Sequence, residues 1–88
     1  MSTGSPLHHR DQAVIDLIYH HPVAQNLPWR DVLTLIGHIG KGEQKHDGKW
    51  LFEINGVERS FHTPHGVHME PSEVVKLREF LGEVGFVP

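Results

Sequence analysis

Apolar residues recur along the chain at two different periods, and the change of period marks the elements. After a polar start, Val14, Leu17, Ile18 and His21 fall at i, i+3, i+4 and i+7, with Asp11, Gln12 and Asp16 on the other side. This is the spacing of a helix with one face turned to a core. Asp11 suits the N-cap, and Pro22 stops the helix because the residue before a proline is pushed out of the α region. His20 and His21 are then expected in the last turn, where an imidazolium favours the helix dipole. Beyond a connector of residues 22–27, Pro28 opens a second helix at its favoured first position. Trp29, Val32, Leu33, Ile36 and Ile39 recur at i, i+3, i+4, i+7 and i+10 opposite Arg30, Asp31 and Thr34, with Trp29 as core anchor. Gly37 and Gly40 loosen and end it, Gly40 being the better candidate for the left-handed position after the helix.

The period then shortens to two. Residues 43–45 suit a short charged edge strand, His46-Asp47-Gly48 a tight turn, and residues 49–54 a strand rich in aromatic and aliphatic side chains. Asn55-Gly56 is the strongest hairpin signal in the chain, since both residues tolerate positive φ. In the returning strand, residues 57–62, Val57, Arg59 and Phe61 share one face and Glu58, Ser60 and His62 the other. A loop rich in His, Pro and Gly, residues 63–71, leads to a last helix opened by Pro71. Val74, Leu77, Leu81 and Val84 form its stripe, Val75 and Phe80 widen it, and Gly85-Phe86 closes it with a left-handed cap and a hydrophobic contact. The expected class is α+β: a three-stranded antiparallel sheet flanked by helices in α-β-β-β-α order, with an extra N-terminal helix. Residues 1–10 are expected to be a disordered arm, 11–26 the N-terminal helix and connector, and 27–88 the main domain.

At 88 residues the chain has room for one core. A chain this short buries roughly 60 to 65 per cent of its unfolded surface, so stability rests on a few large apolar residues or on a partner. Cysteine is absent, which excludes a thiolate metal site or cysteine nucleophile and fits a reducing cytosol. No apolar run is long enough to span a bilayer and residues 1–10 lack the apolar centre of a secretory signal, so a cytoplasmic location without membrane contact is expected. Eight Lys and Arg against eleven Asp and Glu give a net charge of -3, without the overall basic footprint of a strong nucleic-acid binder. Nine histidines qualify that picture: protonating all of them would take the charge from -3 to +6, making polyanion binding depend on pH.

Several stretches then fall into a recognisable order: Pro28-Trp29-Arg30-Asp31-Val32-Leu33, Ile54-Asn55-Gly56-Val57, Phe61-His62-Thr63-Pro64-His65, and Leu77-Arg78-Glu79-Phe80-Leu81 with Gly85-Phe86 at the close. In this order and at these distances they resemble the HicA family of toxin–antitoxin systems, over residues 27–86. The resemblance implies a fold like that of the double-stranded-RNA-binding domain, metal-independent endoribonuclease activity on messenger RNA (an mRNA interferase), no cofactor, and a HicB-like antitoxin as protein partner. The family's catalytic histidine follows a Gly-Ser pair at the start of the second strand; here that stretch reads Gly48-Lys49-Trp50. Tryptophan offers only an N–H donor and cannot take a proton from a ribose 2′-hydroxyl.

Cleavage without metal needs a base for the 2′-hydroxyl, an acid for the leaving oxygen and cations for the phosphorane charge. His62 and His65 are the candidate acid–base pair. Lys49 and Arg59 are candidate phosphate contacts, and Trp50 a candidate for stacking on a base, although burial of Trp50 or Phe52 in the core is the favoured expectation because a domain this small needs its aromatics inside. His62, His65 and His68 are spaced as three potential zinc ligands, but prolines 64 and 71 bracket a loop, so the even spacing implies no common face. Two expectations follow: an RNA-cleaving toxin of HicA type, with an altered active site, or a non-catalytic interaction domain that keeps the fold and binds an antitoxin-like partner.

Overall fold

The structure, a computed structural model, describes residues 9–88. Its elements follow the order α1 (His9–Ile18), α2 (Trp29–Ile39), β1 (Lys41–Gln44), β2 (Trp50–Ile54), β3 (Val57–Phe61) and α3 (Pro71–Glu83). The class is α+β as expected, with one sheet in the order β1-β2-β3 and both strand pairs antiparallel. Residues 1–8 of the expected N-terminal arm, His8 among them, lie outside the described residues. Its last two, His9 and Arg10, are the first residues of α1.

Strand alternation decides what the sheet presents to the helices. Trp50, Phe52 and Ile54 pair with Phe61, Arg59 and Val57 respectively, and these six side chains point to one face. There Phe52, Ile54 and Phe61 are buried. Phe52 stacks on Trp29 of α2 and on Phe61, with ring centroids 5.9 and 4.9 Å apart, and Phe61 continues to Phe80 of α3 at 6.0 Å. One aromatic chain thus runs from helix through sheet to helix. Val14, Ile15 and Ile18 of α1, Val32, Leu35 and Ile36 of α2, and Val74, Leu77 and Leu81 of α3 complete the same core. The large apolar residues on which a domain this small depends are therefore spent inside.

Termini and turns follow local chemistry, with four corrections. The Asn55-Gly56 turn has φ of 53° and 82°, as a two-residue hairpin requires. Gly85 has φ of 93°, and Phe86 N–H donates to Leu81 O at 2.8 Å, the expected left-handed cap with Phe86 packed back against the core. Asp11, expected as an N-cap facing water, lies inside α1 at 1% exposure, because His38 Nδ1 of α2 stands 2.7 Å from its Oδ2. The buried face of α1 rotates accordingly to Asp11, Val14, Ile15 and Ile18; Leu17 is half-buried, and His20 and His21 lie beyond the helix end, both exposed. On α2 it is Leu35 that is buried with Val32 and Ile36, leaving Trp29, Leu33 and Ile39 half-buried. Gly40 is extended, φ -169°, so it is not the left-handed residue expected: a Cβ there would overlap Glu53 O and come 2.8 Å from Ile54 Cγ1. Glycine is needed at Gly40 because β2 passes against it.

Candidate nucleic-acid interface

The outward face of the sheet follows from the same alternation. Lys41, Glu53 and Glu58 form one row across the three strands, and Glu43, Leu51 and Ser60 the next. Alignment continues past the paired residues at one end. Lys45 N–H donates to Lys49 O at 2.8 Å, and Thr63 Oγ1 donates to Gly48 O at 2.8 Å. A third row, Lys45, Lys49 and His62, therefore stands across the outward face at the end where the β1–β2 turn meets the loop after β3.

This row is the most cationic part of the sheet. Lys41 is 3.6 Å from Glu53 and Lys45 is 3.2 Å from Glu43, so both outer lysines are neutralised by neighbours, weakly because they are exposed. Lys49 has no ion pair among the described residues; its backbone is engaged, the N–H by Asp47 Oδ1 at 3.0 Å and the carbonyl by Lys45 N–H, and its side chain is exposed. His62 is exposed, yet its backbone is fixed: its N–H donates to Glu73 Oε1 in the first turn of α3 at 2.9 Å. The end of β3 is thus fastened to α3 on one side and, through Thr63, to the β1–β2 turn on the other.

The remaining candidate residues are distributed differently. Arg59 points to the helix face, where Nη2 binds Glu83 at 2.6 and 2.8 Å and the guanidinium lies 5.9 Å from the Phe80 ring centroid. Lys49 and Arg59 are consequently on opposite faces of the sheet, and Arg59 already has a carboxylate. Trp50 also points to the helices, half-buried, with its ring 6.4 Å from Trp29 and 6.5 Å from Phe52. It belongs to the aromatic cluster and is not presented on the outward face. His65 is exposed in the loop, three residues beyond His62. His68 is further still, bridged to Pro28 in a short antiparallel contact that Trp29 N–H to Val67 O and Met69 N–H to Leu27 O hold at 2.9 and 2.8 Å. The loop thus carries its histidines from the sheet end across to α2, and no group of three or more His, Cys, Asp or Glu placed to hold a metal ion occurs among the described residues.

Four residues were not anticipated from the sequence in the roles they take. Lys45 joins the row through the β1–β2 register, Glu73 fixes His62, and Asp11 with His38 fastens α1 to the end of α2. A carboxylate only accepts, so His38 Nδ1 carries the proton in that bond. Among the described residues, no helix is long and apolar enough to cross a membrane. Comparison with known proteins found no matching family model, no matching curated protein and no matching solved structure.

Proposed function

We propose that the chain is a HicA-like RNA-binding domain that takes the phosphates of single-stranded messenger RNA at the sheet end carrying Lys49 and His62. The observation that carries this reading is the juxtaposition there of an unpaired ammonium and an exposed imidazole on a backbone fixed at both sides. Preorganised groups of this kind are what phosphate chemistry requires. In cleavage, His62 takes the proton of a 2′-hydroxyl, whose oxygen attacks phosphorus. The bond from phosphorus to the 5′ oxygen breaks, His65 protonates that oxygen, and Lys49 faces the developing phosphorane charge. The products are a 2′,3′-cyclic phosphate and a free 5′-hydroxyl. A HicB-like antitoxin is the protein partner and the cytoplasm the site of action.

Two observations favour the second reading, a non-catalytic domain that binds an antitoxin-like protein. At the family's catalytic position Trp50 is committed to the core cluster with Trp29 and Phe52, and Arg59 is neutralised by Glu83. The deciding experiment incubates mixed-sequence RNA with the protein from pH 5.5 to 8.5 in a metal chelator, beside a His62→Ala/His65→Ala variant. Cleavage that survives chelation and falls at least about 100-fold in the variant is expected for the nuclease, the usual worth of an acid–base pair. RNA intact at every pH leaves the binding module.

A further inference from the structure

Histidines gather where the proposed RNA contact lies. His46 is in the β1–β2 turn, His62 ends the outward row, and His65 follows in the adjoining loop; all three are exposed. The two loops are joined by Thr63 Oγ1 to Gly48 O, so one locus carries three imidazoles. The permanent charges around it come from each neighbouring element. β1 and its turn bring Glu43, Lys45 and Asp47, and β2 brings Lys49. From α3 come Glu73, on the His62 N–H, and Lys76, whose Nζ lies 5.1 Å from the Phe61 ring centroid.

Lys76 stands over Phe61 on the helix face, so the locus itself has two lysines against three carboxylates, slightly negative while its imidazoles are neutral and positive once they are charged. Elsewhere on the outward face, Lys41 faces Glu53 and Glu58, with no histidine to change the balance. We infer that the paired loops at residues 45–49 and 62–65 form an acid-activated phosphate site, whose hold on RNA backbone tightens as His46, His62 and His65 take up protons and loosens as they lose them, with Lys49 still holding RNA against a neutral His62. The inference rests on the RNA-binding reading and adds its regulation. Charged imidazoles supply the donors and the field that a polyanion needs, while Lys49 supplies a charge that does not vary.

The test is fluorescence anisotropy of a mixed-sequence single-stranded RNA with 2′-O-methyl riboses, which cannot be cleaved, at fixed ionic strength between pH 5.5 and 8.5. Affinity is expected to rise roughly tenfold or more on acidification, as three added charges on a polyanion site imply. His46→Gln/His62→Gln/His65→Gln should flatten that dependence. Lys49→Gln should weaken binding at every pH and keep the slope. A His9→Gln/His20→Gln/His21→Gln variant, altered on α1 and the connector, removes as many imidazoles from elsewhere and should keep the slope too. Flattening by this second triple as large as by the first would overturn the inference in favour of a whole-molecule charge effect. Binding that is equal at all pH would overturn it while leaving the RNA-binding reading intact, and no binding at any pH would overturn both.

Discussion

Two glycines of one helix end show how a single missing methyl group is used. Gly37 is exposed within α2, with nothing within 4 Å of the position a Cβ would take. Gly40, three residues later, has Ile54 Cγ1 2.8 Å and the Glu53 carbonyl carbon 3.2 Å from that position. Gly37→Ala should therefore stabilise the fold by about 0.5–1 kcal/mol, since an unobstructed helix position gains from the loss of glycine's freedom. Gly40→Ala should cost about 1–3 kcal/mol, because backbone and a core side chain must move apart. Paired thermal melts by circular dichroism check both: equal shifts of the same sign would contradict the close approach of β2 to the end of α2. The sequence announces both glycines as helix breakers and separates them only by a left-handed conformation that Gly40 does not adopt. Backbone preference is local, whereas the obstruction at Gly40 comes from a strand 13 residues on.

Among elements, the joint between α1 and α3 is built from polar groups at the rim of the core. Arg78 Nε and Nη2 donate to Ile18 O and His20 O, each at 3.2 Å, satisfying carbonyls that the end of α1 leaves open. Tyr19 Oη lies 3.1 Å from Phe86 O and 3.4 Å from Arg78 O, so its one proton is directed back to the capped end of α3. Burial pushes the Tyr19 hydroxyl above its ordinary value, and the Arg78 guanidinium partly opposes that rise. A raised acid favours the protonated form in the folded state, so this contribution to stability is complete below about pH 10, the unfolded value, and is lost as pH climbs through the folded one. Urea melts from pH 8 to 11 should show an alkaline fall in stability that is smaller in Tyr19→Phe, although that variant starts less stable by about 1 kcal/mol for its lost bond. An unchanged alkaline fall would place the titration elsewhere. The hairpin at Asn55-Gly56 and the cap at Gly85-Phe86 were legible because their determinants are neighbours in sequence. Of the candidate interface, the parity of Arg59 was legible, and the Glu83 that it meets was not. Asp11 was misread for the same reason: its partner His38 is 27 residues away, and a lone Asp before an apolar stripe has the form of a cap.

For the whole molecule, the open question is whether α1 is an appendage to a domain starting near Leu27 or part of its only core. Val14, Ile15 and Ile18 are buried in the same cluster as Phe52, Phe61 and Phe80, and Asp11 is sealed against His38 by a bond of 2.7 Å. Burying three aliphatic side chains contributes on the order of 5–9 kcal/mol. The net stability of a chain this size is about 4–13 kcal/mol, so α1 supplies a share comparable to the whole margin. Its removal would also expose the apolar faces of α2 and α3 and leave His38 without its carboxylate. A chain lacking residues 1–26 should accordingly show no cooperative unfolding transition by circular dichroism. Ile15→Ala in the full chain should remain folded but lose about 2–5 kcal/mol. A truncated chain melting within a few degrees of the full one would mean that residues 27–88 close a core of their own, and that α1 is carried on it. The distinction bears on function because the sheet end with Lys49 and His62 is held in place by α2 and α3, and those helices are packed together in part by α1.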